Sequence, residues 1–134
     1  MRCLDRRLRE FDGLVKLERP AEAMPYLERA GSIWTRDGGA ENPMLAYTLT
    51  SLGEAKRQLG RTDEALVDVE RAHALRPKTA APDGLARTKL ALARTLETTD
   101  LARARGYATQ IDPAKLTEVA LRGAVEAWLK RHAE

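Results

Sequence analysis

Apolar residues recur every third or fourth position along most of this chain, which is the spacing of one face of an α-helix. Across residues 42–59 this apolar face consists of Leu45, Leu49, Leu52, Ala55 and Leu59. Asn42 and Pro43 precede it as an N-cap and a first-turn proline do, and Gly60 follows it as a C-terminal glycine does. The pattern therefore predicts a helix that ends beside a tight turn.

The turn leads into a second helix that runs in the opposite direction. Thr62 or Asp63 is its predicted N-cap, and Pro77 ends it because proline cannot continue a helix. Residues 42–76 are therefore predicted to form an antiparallel helical hairpin.

The same signals predict helices on both sides of this hairpin. Pro82 opens a helix, Asp100 caps its partner, and the pair Asp112-Pro113 starts a last helix by the cap-plus-proline rule. The elements predicted in this way are hairpins over 3–35 and 83–111 and a last helix over 113–131. The apolar positions of that last helix are Leu116, Val119, Ala120, Ala124, Ala127 and Trp128.

Two stretches of the chain repeat each other at an offset of 42 residues. Residues 19–30 and 61–72 share six identical positions, and their apolar residues keep the same spacing along one helical face. Chance matches in a chain rich in alanine and arginine would not preserve that spacing, so the pattern indicates a structural repeat.

The second hairpin resembles the tetratricopeptide repeat, a pair of antiparallel helices that stacks into arrays. The signature positions of the family fall on Leu49, Leu52, Gly53, Lys56, Ala65, Val69, Ala72 and Pro77. Gly53 and Ala65 are small where two such helices cross closely, whereas Lys56 and Val69 replace the usual aromatic residues. The resemblance implies an all-α fold, a right-handed α-solenoid of about three helical hairpins with a C-terminal capping helix, in a single domain over 1–134.

The offset of 42 residues exceeds the commoner period of about 34. It resembles the longer subtype of the repeat found in kinesin light chains and many bacterial proteins. Residues 3–7 and 125–132 also resemble segments of the C-terminal repeat regions of bacterial serine/threonine protein kinases. This resemblance implies a bacterial protein and leaves a regulatory fragment of such a kinase as an alternative, although the chain contains no kinase catalytic motif.

Composition narrows the function classes. The net charge is only +3, arginines alternate with acidic residues along most helices, and no aromatic residues interleave with the basic runs, so nucleic-acid binding is not expected. No apolar run approaches the roughly 18 residues of a membrane span. A single cysteine, Cys3, and no visible secretory signal favour a cytoplasmic location.

The sequence contains no pattern that favours catalysis, a metal site or a cofactor. His73 is expected to be a partly exposed surface group and His132 to lie in the frayed C-terminus, and neither has an acidic partner at metal-ligand spacing. Gly38-Gly39 lacks the lysine and the preceding strand of a phosphate-binding loop. We therefore do not expect an enzyme.

The two tryptophans, Trp34 and Trp128, each have two interpretations. The ends of a helical array must bury the face that a missing neighbour leaves bare, which favours packing of both side chains. The alternative is that an exposed tryptophan anchors a partner protein.

The family resemblance also implies which residues line a binding groove, because the first helix of each repeat faces the concave side of the array. These residues are Tyr47, Thr50, Glu54, Arg57, Gln58, Arg87, Leu90 and Arg94, with Glu97 as a further candidate. Arginine forks onto a carboxylate, a phosphate or a peptide backbone, and tyrosine offers a flat amphipathic contact. We therefore predict a non-catalytic protein–protein interaction scaffold whose partner is a peptide or protein segment of acidic character.

A second class of function stays open. Three hairpins are near the minimum for a stable array, so an exposed end could pair with a second copy and make the chain a structural, homodimerising module. One family-specific ligand is not expected: repeat co-chaperones clamp a C-terminal carboxylate with lysine and asparagine, whereas Thr50 and Glu54 occupy the comparable region here.

Overall fold

The computed structural model describes residues 19–38, 43–76 and 81–133, and the regular elements in these ranges are all helical. In chain order they are α1 (Pro20–Gly38), α2 (Pro43–Gln58), α3 (Thr62–Leu75), α4 (Pro82–Leu96), α5 (Leu101–Ala108), a 3₁₀ turn (Pro113–Lys115) and α6 (Val119–Arg131). The predicted all-α fold is confirmed. The predicted helix before α1 and the predicted Asn42 cap lie outside the described residues.

The helices pack against their neighbours in the chain, as in a helical-repeat array. α2 packs against α1 and α3, α4 packs against α2, α3 and α5, and α6 packs against α4 and α5. Buried apolar side chains form one cluster between α1, α2 and α3 and another between α4, α5 and α6. Because α2 and α4 are in direct contact, the polar faces of the first helices of two hairpins come together.

Small residues set the close crossing of α2 and α3. A Cβ atom added to Gly53 would lie 2.1 Å from Cγ2 of Val69 and 3.3 Å from the backbone oxygen of Ala65. Ala65 and Val69 are both completely buried in this contact. The prediction that the hairpin packs on small residues is confirmed, and Val69 fits because a larger side chain would have no space.

Two of the predicted helix boundaries are confirmed in detail. Gly60 follows α2 with a φ of +83°, a left-handed conformation that favours glycine. The Asp100 side chain accepts a hydrogen bond from the backbone N–H of Arg103 and so caps α5. Both boundaries depend on the residue type at one position, a glycine or a capping aspartate, and can therefore be predicted from the sequence.

The predicted cap of α3 is wrong. Thr62 and Asp63 lie inside the first turn, and the N-cap position belongs to Arg61, whose side chain does not cap the helix. The Arg61 guanidinium instead donates two hydrogen bonds to Glu64, at 2.7 and 2.8 Å. These bonds hold the pKa of Glu64 below its usual value, and they place a carboxylate near the positive end of the helix dipole.

The last helix begins later than the sequence pattern predicts. The Asp112 carboxylate does accept a hydrogen bond from the backbone N–H of Ala114, and Pro113 does occupy the first position, but the turn is 3₁₀ and ends at Lys115. α6 begins only at Val119. The local start signal is therefore real but produces one turn rather than a helix.

Asp83, in the first turn of α4, accounts for this break. Its carboxylate accepts hydrogen bonds from the backbone N–H and the hydroxyl of Thr117, at 2.9 and 2.7 Å, and from the backbone N–H of Glu118 at 3.1 Å. These bonds hold the linker in an extended conformation. The buried face of α6 is consequently Leu121, Val125 and Trp128, whereas Val119, Ala120 and Ala127, which the sequence pattern placed inside, are exposed.

Candidate functional site

A cavity of about 480 Å³ lies between α2, α4 and α6. All eight groove residues predicted from the family resemblance line this one cavity, and Glu97 does so as well. The residues in its lining that the sequence reasoning missed are Ser51, Ala120, Leu121, Ala124 and Arg131. Four of these belong to α6, whose packing against α4 no local pattern in the sequence reports.

The helix period explains how α2 presents its part of the lining. Tyr47, Thr50, Glu54 and Arg57 are spaced by three or four residues and therefore share one face. The opposite face is apolar and packs into the core against α1 and α3. The cavity wall of α2 is thus fixed by the same pattern that buries its other side.

Hydroxyl groups connect the cavity wall to a half-buried arginine. The Thr50 and Thr88 hydroxyl oxygens lie 3.0 Å apart, and Nε of Arg76 donates to the Thr88 oxygen at 2.7 Å. Burial lowers the pKa of Arg76, and the nearby Arg87 lowers it further. Nη2 of Arg76 is buried without a hydrogen-bond partner in the described part of the chain. The cavity therefore has a positively charged group behind its wall, and no carboxylate of the described residues forms a hydrogen bond or an ion pair with it.

One carboxylate serves two arginines within the cavity. Glu54 accepts a hydrogen bond from Nη2 of Arg57 at 2.8 Å, and the same oxygen lies 3.8 Å from Nη1 of Arg94. The second distance is too long for a hydrogen bond. Arg94, whose side chain is 32% exposed, is thus attracted to Glu54 but not hydrogen-bonded to it.

The second lining carboxylate, Glu97, joins α4 to the end of α6. It accepts a hydrogen bond from Nε1 of Trp128 at 2.7 Å, and the same oxygen lies 3.3 Å from Nε2 of His132. The His132 ring packs on the Trp128 ring with 4.2 Å between centroids. The prediction of a frayed His132 is therefore wrong, because this contact and the Arg105 side chain, which donates to the His132 carbonyl, hold it in place.

Both tryptophans pack inside the array. Trp34 is 8% exposed within the α1–α2–α3 cluster, and Trp128 is 1% exposed within the α4–α5–α6 cluster. The preferred interpretation of these two residues, that they cover a seam or an end of the stack, is confirmed.

The lining carries an excess of positive charge. Four arginines face two glutamates, and Arg87 also pairs with Glu118 at the start of α6. Apolar contact surface comes from Leu90, Leu121 and the alanines of α6. The arginines of this lining can bind an anionic group of a ligand, and its aliphatic side chains can pack against apolar parts of the same ligand.

The other groups considered for chemistry are not assembled into a site. His73 is half-buried, its ring meets the Tyr107 ring edge-on at 5.4 Å, and burial lowers its pKa. Within the described ranges, no group of three or more His, Cys, Asp or Glu side chains is placed to hold a metal ion. Cys3 lies outside those ranges. None of the described helices is long and apolar enough to cross a membrane.

Comparison with known proteins agrees with the helical-repeat architecture. The family model of the tetratricopeptide repeat matches residues 13–78, just under half of the chain. No curated protein and no solved structure matches the chain. The matched segment contains α1, α2, α3 and the Gly53 crossing, so residues 13–78 match the tetratricopeptide repeat family, and the described chain is all helical, consistent with a solenoid of such repeats.

Proposed function

We propose that this chain is a non-catalytic interaction scaffold that binds an acidic peptide or protein segment in the cavity between α2, α4 and α6. Tetratricopeptide repeats generally mediate protein–protein interaction, which is the class of function that the family match supports. The observation that carries the specific proposal is the shared position of the eight predicted residues. They come from two successive repeats and line one cavity with an arginine excess.

The size and chemistry of the cavity suit a few side chains of a segment. Its volume of about 480 Å³ lies within the range of roughly 300–1,000 Å³ for ligand sites. Tyr47 provides a flat surface at one wall, and guanidinium groups provide planar forks for carboxylates. A segment that carries acidic and small apolar residues fits this lining best.

The test is binding of the full chain to an array of short peptides that differ in net charge. We expect acidic peptides to bind and basic ones not to bind. The double variant Arg57→Ala/Arg94→Ala should lower the affinity for the tightest-binding peptide by about tenfold or more, because it removes charge-assisted contacts. The matched control, Arg61→Ala/Arg103→Ala, removes two exposed arginines outside the cavity and should leave the affinity unchanged. Equal affinities for the two double variants would show that the segment binds elsewhere.

The finer identity of the chain is part of the same proposal. We place it in the longer, 42-residue subtype of the repeat, in a bacterial cytoplasm, with the kinase-fragment origin as the alternative. Light scattering across a concentration series separates the scaffold from a self-associating module. A monomer at all concentrations, with peptide binding intact, supports the scaffold, whereas a dimer whose interface closes the cavity contradicts it.

A further inference from the structure

We infer that Arg94 of α4 and Arg131 of α6 form an oxyanion site, which receives one carboxylate or phosphate group of the bound segment. This inference rests on the proposed function and adds the chemistry and the position of one contact. It also assigns a binding role to α6, which the sequence predicts only as a cap of the array.

The four arginines of the cavity differ in their hydrogen bonds. Arg57 donates to Glu54, and Arg87 donates to Glu118. Within the ranges that the structure describes, Arg94 comes no closer than 3.8 Å to a carboxylate oxygen, and Arg131 has no hydrogen bond or ion pair. Two guanidinium groups that line the cavity therefore keep their donors available for a ligand.

The two arginines lie at the same end of the cavity. Glu97, one turn after Arg94 on α4, contacts both Trp128 and His132 on the last turn of α6. Arg131 belongs to that same last turn. The contacts of Glu97 thus bring the ends of α4 and α6 together, and each end contributes one arginine to the lining.

The carboxylates of the cavity do not satisfy this pair. Glu54 is hydrogen-bonded to Arg57, and Glu97 is occupied by the indole and imidazole groups of α6. An oxyanion placed between Arg94 and Arg131 would accept short, charge-assisted hydrogen bonds from two planar forks. Carboxylate and phosphate share this geometry, so an acidic and a phosphorylated side chain are the two sources that the experiment must separate.

The experiment titrates the full chain, labelled with ¹⁵N-arginine, with inorganic phosphate and separately with acetate. Sodium chloride at matched ionic strength gives the baseline. We expect the Nε–Hε signals of Arg94 and Arg131 to move together with one saturation curve, while those of Arg57 and Arg87 stay near the baseline. The anion that saturates at the lower concentration identifies the source, a phosphorylated side chain for phosphate and an acidic one for acetate. Uniform shifts of all arginines, or none beyond the chloride baseline, would overturn the assignment.

Variants connect this site to peptide binding. Arg131→Gln and Arg94→Gln should each lower the affinity for the saturating anion by about tenfold. Lys130→Gln removes an exposed neighbouring cation on α6 and should leave that affinity unchanged. If acidic peptides bind and Arg131→Gln leaves their affinity unchanged, the oxyanion site is wrong and the proposed function stands. If the anions titrate Arg94 and Arg131 but neither an acidic nor a phosphorylated peptide binds, the two arginines form an anion site, whereas the proposed function and the assignment of that site to a bound segment both fail.

Discussion

Gly53 lies where α2 crosses α3, and the space beside it is already filled by Val69. We expect Gly53→Ala to lower the free energy of unfolding by about 1–3 kcal/mol through overpacking, as followed by circular dichroism in urea. Gly106→Ala is the matched control, since nothing lies within 4 Å of a Cβ there and alanine favours the helix by about 1 kcal/mol. Adding Val69→Ala to Gly53→Ala should recover part of the loss. Equal stability of the two glycine variants would contradict the close crossing.

Thr88 is a second residue whose effect can be isolated. Its hydroxyl is the acceptor for Nε of Arg76 and a partner of the Thr50 hydroxyl. Thr88→Val should destabilise the fold by about 1–3 kcal/mol, because the half-buried Arg76 guanidinium loses its acceptor. Thr95→Val on the same helix is the control, since among the described residues that buried hydroxyl bonds only to the Ala91 carbonyl one turn away. If Thr95→Val lowers the free energy of unfolding as much as Thr88→Val does, the Arg76 contact has no special role.

The linker before α6 shows how one side chain decides the start of an element. Asp112 and Pro113 carry the local start signal, yet the helix begins only at Val119, because Asp83 binds the backbone of residues 117 and 118. The start signal is local and visible in the sequence, whereas the competing contact of Asp83 is not. Asp83 lies about thirty residues away in the chain, and no local pattern reports a partner at that distance.

The same contact predicts a pH dependence of stability. The hydroxyl and backbone N–H of Thr117 hold the pKa of Asp83 below its usual value of about 3.9. The unfolded chain therefore takes up the proton first as the pH falls, so this contribution to stability is present above about pH 5 and is lost towards pH 3. Asp83→Asn should show a smaller decline of the urea midpoint across that window. Asp63→Asn removes an exposed carboxylate on α3, and its urea midpoint should decline with pH as that of the wild type does. Identical midpoint curves for all three proteins would contradict the prediction.

At the scale of the whole molecule, α6 closes both the core and the cavity. Trp128 is 1% exposed between α4, α5 and α6, and its indole N–H is bonded to Glu97 in the cavity lining. Trp128→Ala should lower the free energy of unfolding by about 3–5 kcal/mol in urea titrations, because it leaves a large void in the last layer. Glu126→Ala, exposed on the same helix, should change it by less than about 0.5 kcal/mol. A mild effect of Trp128→Ala would show that α6 is not an integral layer of the array.

The sequence by itself determined the helical class, the boundaries at Gly60 and Asp100, the small residues at the α2–α3 crossing and the faces of α2 and α4 that line the cavity. The helical class and the two boundaries depend on spacing within one helix or on the backbone chemistry of one turn, which a local pattern reports. The crossing and the positions that line the cavity follow from the resemblance to the tetratricopeptide repeat. Only the tertiary structure decided where α6 begins, that it forms a wall of the cavity, and which cavity arginines hydrogen-bond to a carboxylate of the described residues. Those features depend on contacts between residues far apart in the chain, such as Glu97 with Trp128, and such contacts exist only after the helices have packed.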